Sequence, residues 1–203
     1  MPESEKLWDN VLHIQTCGRD DINADRYHHP YEPTPYSVLE RLADSGYFGE
    51  NDVLLDYGCG KGRVSFFMSN RTQVTALGVE YDKHILEKTY ENLESYGSNS
   101  RIRFLLENAS EFIVPSNINR CYFFNPFSVE ILRKAMAKIL DSYYENPREI
   151  LLFFYYPSDE YIGYLMNVDE LEFYDEIDCS DLFHGDEKRE RVLVFCLPDF
   201  DYE

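Results

Sequence analysis

Residues 53–62 constrain the fold of this chain more than any other segment. The apolar run Val53–Leu55 leads into Asp56, and glycine follows at positions 58, 60 and 62. Glycine tolerates backbone conformations with positive φ and lets backbone N–H groups approach a ligand closely. A strand that ends in an acid and is followed by such a loop is typical of a small-molecule site. A simple tight turn into a helix is the alternative, but it accounts for one glycine more readily than for three.

Two familiar glycine loops do not fit this segment. The dinucleotide fingerprint would need glycine where Arg63 stands, and a phosphate-binding P-loop would need Ser or Thr after Gly-Lys, whereas Lys61 precedes Gly62. The spacing D-x-G-x-G-x-G instead resembles motif I of the class I S-adenosylmethionine (SAM)-dependent methyltransferases. Glu80 follows about twenty residues later, where that family has the acid that binds the cofactor's ribose.

The resemblance implies a cofactor site. Asp56 would help to hold the loop and the cofactor's amino group, and the glycines would lie beneath its methionine part. Glu80, an acceptor when ionised, suits the two ribose hydroxyls; a glutamate on a surface helix is the alternative. Asn108, after the third predicted strand, would reach the adenine amino group. The residues predicted to bind the cofactor are Thr34, Asp56, Gly58, Cys59, Gly60, Gly62, Glu80, Tyr81, Asn108, Ala109 and Asn125.

Short apolar runs alternate with amphipathic stretches along the rest of the chain. Strands are predicted at 53–56, 74–80, 101–106, 121–124, 150–156, 171–177 and 191–197. Helices are predicted at 37–43, 63–70, 83–96, 128–144 and 159–166. The predicted fold is therefore α/β, with a doubly wound, mostly parallel seven-stranded sheet, helices on both faces and a C-terminal antiparallel hairpin. The class I methyltransferase fold has the same terminal hairpin.

The fourth predicted strand ends in Asn125-Pro126-Phe127-Ser128. This segment resembles the [DNS]-P-P-[FYW] motif of methyltransferases that act on amino or amide nitrogens, but it is one proline short. In those enzymes a side-chain oxygen and the next backbone carbonyl accept hydrogen bonds from the substrate's NH₂ group. The resemblance makes Asn125, Pro126 and Phe127 candidate catalytic residues. The alternative is a helix N-cap and turn, in which Ser128 or Asn125 caps the following helix.

Residues 27–36 are rich in proline and aromatic residues, which favours an extended, stiff segment. Similar segments cross the cofactor in several methyltransferases, including Dot1-like enzymes. On that resemblance Thr34 would contact the cofactor's carboxylate, and Tyr31 or Tyr36 would line the substrate pocket. A linker that packs its aromatic rings on the core is the alternative. If the acceptor is an amine, the candidate bases are Tyr31, Tyr36, His28 and His29, which the sequence does not rank; no metal site is expected.

The net charge of −19 restricts the partners of the chain. Proteins that bind nucleic acid neutralise phosphates with Lys and Arg, so no nucleic acid partner is expected. Residues 158–203 carry 15 Asp and Glu against three Lys and Arg. This excess predicts either a solvated acidic face or a docking patch for a cationic substrate.

The chain is long enough for a single domain with a substantial core. We expect residues 1–50 to form a cap of helices and loops over the cofactor and residues 51–203 to form a Rossmann-like core. No apolar run could span a membrane and no leader is visible, so a cytoplasmic location is expected by default. The oligomeric state is not predicted.

Three functions are compatible with these features. The first and favoured one is a SAM-dependent methyltransferase that acts on a small molecule or a protein side chain, with nitrogen as a candidate atom. The second is an inactive SAM-binding domain that serves as a partner subunit. The third is another nucleotide-binding α/β protein, which the intact Asp56, glycine loop and Glu80 disfavour. Direct methyl transfer would depend mainly on positioning of the two reactants.

Overall fold

A computed structural model describes residues 3–22, 26–97, 101–185 and 187–199. The described residues contain six α-helices, seven strands and one short 3₁₀ helix. The helices are α1 (Glu3–Leu12), α2 (Tyr36–Ala43), α3 (Arg63–Thr72), α4 (Lys83–Tyr96), α5 (Val129–Glu145) and α6 (Asp159–Leu165). The strands are β1 (Val53–Tyr57), β2 (Thr75–Glu80), β3 (Ile102–Leu106), β4 (Arg120–Phe123), β5 (Ile150–Tyr155), β6 (Glu172–Asp178) and β7 (Arg191–Leu197).

The strands form one sheet in the order β3-β2-β1-β4-β5-β7-β6. Strands β1 to β5 pair in parallel, whereas β7 runs antiparallel to both β5 and β6. The strand order reverses between β1 and β4, and open α/β sheets bind ligands at such a switch point. The predicted fold class, with its doubly wound sheet and C-terminal antiparallel hairpin, is confirmed.

Two hydrophobic cores cover the two faces of the sheet. Successive residues of β1 alternate between them: Leu54 packs in the core on one face and Leu55 in the core on the other. Every residue of β5 is buried, as its nearly continuous apolar sequence predicts for a strand with helices on both sides.

Most predicted boundaries lie within one or two residues of the observed ones. Helix α3 continues to Thr72, two residues beyond its predicted end, and α2 begins at Tyr36. Helix α1 is not among the predicted helices, although the expected N-terminal cap of helices and loops includes its residues. Its indole Trp8 contacts Phe67 edge to face at 4.9 Å, and its Nε1 donates to Glu40. These contacts pack α1 onto α2 and α3.

A buried arginine joins the N-terminal segment to the glycine loop. Arg63, the first residue of α3, has only 2% of its surface exposed. Its Nε donates to Thr16 Oγ1 (2.6 Å), and its Nη1 donates to Glu5 and to the Thr34 carbonyl (3.0 Å). Because the guanidinium is buried and carries fixed donors, it holds three separate N-terminal positions against the helix that follows the loop.

Asp9 in α1 is the central acceptor beside this arginine. Its carboxylate accepts hydrogen bonds from Thr16 and from the Tyr36 hydroxyl, and one oxygen lies 3.8 Å from Arg63 Nη2. Burial acts to raise the pKa of Asp9, but the hydrogen bonds and the Arg63 charge outweigh it, and the pKa is lowered. Asp9 therefore stays ionised near neutral pH and stabilises the buried cation.

Substitution of Arg63 by methionine tests this connection. The variant should lose about 3 kcal/mol of unfolding free energy, because the acidic residues around position 63 would remain buried without their cation. Arg71→Met in the same helix removes an exposed pair with Asp44 and should cost at most about 1 kcal/mol. Urea titration at neutral pH measures both values. Equal losses in the two variants would show that the buried contacts of Arg63 do not hold the N-terminal segment.

Candidate functional site

The carboxyl ends of β1, β2, β3 and β4 surround one cleft, and residues 28–34 cross it as a strap. The cleft brings together most of the residues predicted from the sequence: Tyr31, Thr34, Asp56, Gly58, Cys59, Gly60, Glu80, Tyr81, Asn108, Ala109, Pro126 and Phe127. Among the predicted residues, Gly62, Tyr36 and Asn125 do not line it.

Glu80 joins the end of β2 to the glycine loop. One carboxylate oxygen accepts from the backbone N–H of Gly60 (3.0 Å) and the other from that of Asp82 (2.9 Å). The side chain is 7% exposed, and burial raises its pKa against the effect of these hydrogen bonds. Glu80 is thus fixed at the end of a strand, and the alternative of a surface-helix glutamate is wrong.

Asp56 lies at the base of the cleft, 2% exposed, and accepts a hydrogen bond from Ser65 Oγ (2.9 Å). Burial raises its pKa to about 7, and the charge of Glu80 adds to the rise while the bond from Ser65 opposes it. An acid with such a pKa changes its charge near neutral pH, so a cationic group in the cleft would favour its ionised form.

The three glycines of the loop have different neighbours. All three have positive φ, but a Cβ at Gly58 would meet Pro126 and one at Gly60 would lie 2.3 Å from two ring carbons of Tyr31. A Cβ at Gly62 would meet Phe66 and Phe104. Gly62 therefore packs against the core beside α3, away from the cleft, and the strap residue Tyr31 covers Gly60.

The strap pairs with the segment that follows β4. His29 N donates to the Pro126 carbonyl (3.1 Å), His29 Nδ1 lies 2.7 Å from the Asn125 carbonyl, and Ser128 N donates to the Tyr27 carbonyl (2.8 Å). The Pro126 carbonyl therefore already accepts a hydrogen bond from the strap. The proline-rich segment thus lines the cleft through residues 28–34.

Thr34 and Tyr36 have separate positions. Thr34 lies in the cleft, where its Oγ1 is 2.9 Å from the Tyr122 hydroxyl. Tyr36 is fully buried in the core, and its hydroxyl donates to Asp9. The prediction that Tyr36 lines the substrate pocket is wrong, because α2 begins at this residue and turns its ring inward beneath Arg63, whose guanidinium lies 4.2 Å from the ring centre.

The opposite wall of the cleft comes from β2 and β3. Tyr81 stacks on the strap residue His28, with ring centroids 3.7 Å apart. Asn108 is exposed, and its Oδ1 accepts from the backbone N and the hydroxyl of Ser110. Ala109 is buried in the core on the α5 face. This side of the cleft is therefore bordered by the aromatic ring of Tyr81 and the side-chain amide of Asn108.

Asn125 occupies a neighbouring groove that shares five residues with the cleft: His29, Pro30, Glu32, Pro33 and Phe124. Its φ is +43°, an uncommon conformation for a residue other than glycine. Its Oδ1 is buried and has no hydrogen-bond partner among the described residues. Residue Ser128, not Asn125, is the N-cap of α5, and no side chain caps that helix. The Asn125 oxygen is therefore available to accept a hydrogen bond.

Sequence reasoning missed Tyr122 and Phe124, which line the cleft from β4 and the residue after it. Both lie in an apolar run that is typical of a buried strand. The one signal in the sequence was the position of Phe124 near the strand's carboxyl end, which could have identified it as a cleft residue. No cluster of three or more His, Cys, Asp or Glu side chains suited to a metal ion occurs within the described residues.

Comparisons with known proteins agree with this geometry. Residues 54–145 match the family model described as a methyltransferase domain. The resemblance to the class I methyltransferases is confirmed. A protein-lysine N-methyltransferase from Saccharolobus islandicus (strain REY15A) is 31% identical over 85 residues, which cover 41% of this chain and 53% of that relative. The match thus spans about half the length of the relative.

Solved structures share the methyltransferase fold at low identity. An rRNA methylase from Streptococcus thermophilus has a TM-score of 0.56 and 15% identity, over 83% of this chain and 98% of that one. An RNA methyltransferase from Salinibacter ruber, in complex with S-adenosyl-L-homocysteine (SAH), has a TM-score of 0.55 and 19% identity, over 82% and 94%. Separately, none of the helices within the described residues is long and apolar enough to cross a membrane.

Substitution of Gly60 by alanine tests the packing of the strap on the glycine loop. Gly46 also has positive φ, but a Cβ at that position would have no atom within 4 Å, so Gly46→Ala reports the backbone cost of about 1–2 kcal/mol alone. Gly60→Ala should cost about 1–3 kcal/mol more, because its Cβ overlaps the Tyr31 ring. Chemical denaturation of both variants measures the difference.

A double-mutant cycle with Tyr31→Ala identifies the source of the extra cost. Removing the ring should recover most of the difference between the Gly60 and Gly46 variants. Additive effects of the Gly60 and Tyr31 substitutions would mean that the strap does not rest on the glycine loop.

Proposed function

We propose that the protein transfers a methyl group from SAM to an amino nitrogen, with the side-chain amine of a lysine in a protein as the acceptor. The observation that carries the proposal is the buried, unpartnered Oδ1 of Asn125 beside the cofactor cleft. A carboxamide oxygen accepts hydrogen bonds but cannot donate them. The Asn125 oxygen therefore suits a methyl acceptor that carries N–H groups and a nitrogen lone pair.

The residues of the cleft fit SAM as the donor. Asp56 and Glu80 offer carboxylate oxygens for an ammonium group and for hydroxyls, while Val79 and Ile85 supply apolar walls. The cofactor would provide a methyl group on a sulfonium, which departs as a neutral thioether. The family match and the SAH bound to the Salinibacter ruber protein support this assignment. NAD is disfavoured because the loop lacks the dinucleotide glycine spacing.

If the methyl acceptor is an amine, the contacts of the candidate bases favour His29. The Tyr31 hydroxyl donates to the Thr16 carbonyl, and burial raises the pKa of Tyr31 well above its usual value. His28 is stacked on Tyr81. His29 lines both the cleft and the groove, and Nδ1 lies against the Asn125 carbonyl, which accepts a hydrogen bond from it. That contact fixes the tautomer in which Nε2 is the proton acceptor.

A lysine of a protein is favoured over a base in RNA by the charge of the chain. The Saccharolobus islandicus relative is a protein-lysine N-methyltransferase, whereas the RNA-directed neighbours share only the fold at 19% identity or less. With a net charge of −19, long-range electrostatics repel phosphates and attract cationic segments. An acidic surface around the site would attract a lysine-rich region.

The pKa of Asp56 predicts how SAH binding changes with pH. If the ionised carboxylate contacts the ligand's amino group, the association constant should rise between about pH 6 and 7.5 as Asp56 loses its proton. Above about pH 8 the ligand's own amino group loses its charge and affinity should fall. Calorimetric titration of wild type and Asp56→Asn measures this, and the variant should lose the rise. The same rise in both proteins would remove Asp56 from the ligand contact.

The raised pKa of Asp56 also determines how this residue's contribution to folding stability changes with pH. Because the folded-state pKa of Asp56 exceeds the unfolded value of 3.8, its contribution to stability is fully present below that value. The contribution is lost as the pH rises through about 7.

Turnover by Asn125 variants tests the acceptor side of the proposal. Asn125→Gly removes the amide without backbone strain, since glycine tolerates positive φ. With a library of lysine peptides and SAM, the variant should lose at least about tenfold in rate, while its affinity for SAH stays unchanged. Asn125→Asp retains an acceptor oxygen and should retain more activity than the glycine variant. Mass spectrometry of the peptides detects the added methyl group.

A matched library in which arginine replaces lysine is the control for acceptor chemistry. Binding of SAM without transfer to any lysine peptide would contradict the proposed acceptor, and it would favour the alternative of an inactive cofactor-binding subunit. Wild-type activity in Asn125→Gly would remove Asn125 from the reaction.

A further inference from the structure

The groove that contains Asn125 adjoins the cofactor cleft at the carboxyl ends of β4 and β5. Its lining contains Arg19, which lies beside Glu32, together with four aromatic side chains and two glutamates. The aromatic and acidic residues are Phe124, Tyr155, Tyr156, Phe183, Glu32 and Glu190. The inference that follows rests on the proposed function and concerns what this groove binds.

Phe124 and Tyr156 are partly exposed in the groove, whereas Tyr155 is 2% exposed and packs against Phe124 as part of the core. Phe124 lies 4.7 Å from Tyr155 and 6.5 Å from Tyr156, and the Phe124 and Tyr156 planes are 87° apart. One face of the Tyr156 ring is covered by the Arg189 guanidinium, which lies 4.3 Å from the ring centre and donates to the Tyr156 hydroxyl, so a ligand would contact the other face. Aromatic faces attract ammonium groups through their quadrupoles.

Glu190 adds a negative charge at a fixed position. Its Oε2 accepts a hydrogen bond from the Tyr155 hydroxyl (2.6 Å), and its backbone carbonyl accepts from Cys179 N (2.9 Å). No lysine or arginine nitrogen of the described residues lies within 4.0 Å of this carboxylate. Glu32, by contrast, lies 3.8 Å from Arg19 Nη1. Glu190 is thus a half-buried carboxylate held in place by a tyrosine, with its charge uncompensated by an ion pair.

Backbone strain occurs at two residues of the same groove. Asn125 follows β4 with a φ of +43°, and Tyr156 follows the neighbouring parallel strand β5 with a φ of +51°. Such conformations are strained for a non-glycine residue and concentrate at binding and catalytic sites. Here they place an amide and an aromatic ring at adjacent strand ends.

We propose that this groove binds the ammonium group of a lysine side chain, with Glu190, held by Tyr155, as its anionic partner and with Phe124 and Tyr156 beside its methylene chain. Charge complementarity supports this occupant, since residues 158–203 carry 15 acidic and three basic side chains. Asn125 and His29, at the border of groove and cleft, would then meet the amine where it approaches the methyl donor. Glu190 would be a residue that sets specificity for a cation.

Nuclear magnetic resonance titration of the SAH-saturated protein tests this assignment. The probes are Nα-acetyl-lysine amide and its uncharged analogue Nα-acetyl-norleucine amide. The lysine probe should bind in preference to the norleucine probe and shift the amide signals of Asn125, Tyr156 and Glu190. Glu190→Gln keeps an acceptor for Tyr155 but removes the charge, so it should weaken lysine binding by about tenfold or more. Glu172→Gln, an exposed change of the same charge on β6, should have no effect.

Three results would overturn the inference. These are equal affinity for the two probes, signal shifts that lie outside the groove, and an unchanged affinity in Glu190→Gln. Failure of the proposed function is distinguishable from these, because SAH would then fail to shift signals around Asp56 and Glu80 before any lysine probe is added. That result would overturn both proposals. Binding of SAH without binding of the lysine probe would overturn only this one.

Discussion

The burial of Arg63 is the constraint on which the arrangement of the site depends. A guanidinium removed from water needs compensating charge and hydrogen-bond acceptors, and here Glu5, Asp9, Thr16 and the Thr34 carbonyl supply them. All of these acceptors belong to the N-terminal segment, whereas Arg63 directly follows the glycine loop. One side chain therefore fixes the segment that crosses the cleft relative to the loop that forms its floor.

The strap has contacts on both of its sides. Towards the loop, Tyr31 covers Gly60, and towards β4, His29 forms hydrogen bonds with the carbonyls of Asn125 and Pro126. Under the proposed function, the strap would lie between a cleft for the nucleoside donor and a groove for the cationic acceptor. In such an arrangement much of the rate acceleration comes from holding donor and acceptor in line, since a thioether leaving group needs no acid.

Local pattern is sufficient to predict the sheet and the two acids at the ends of β1 and β2. The continuous apolar run 150–155 and the Asp56 and Glu80 positions at strand ends depend only on residues near one another in the sequence. Tyr36 shows the limit, because its place beneath Arg63 depends on a contact across 27 residues. The groove around Tyr155 and Glu190 also could not be predicted, because it depends on contacts between residues that are distant in the sequence. It forms only when β7 inserts beside β5, and its aromatic residues read as core in the sequence.

The most direct test of the account is the identity of the ligand in the cleft. Calorimetric titration of the full chain with SAM, SAH, NAD and ATP near neutral pH would measure it. The account predicts saturable binding of SAM and SAH and none of NAD or ATP. It also predicts that Glu80→Gln weakens SAH binding by roughly 1.5–3 kcal/mol. Binding of NAD or ATP in place of SAM and SAH would contradict it.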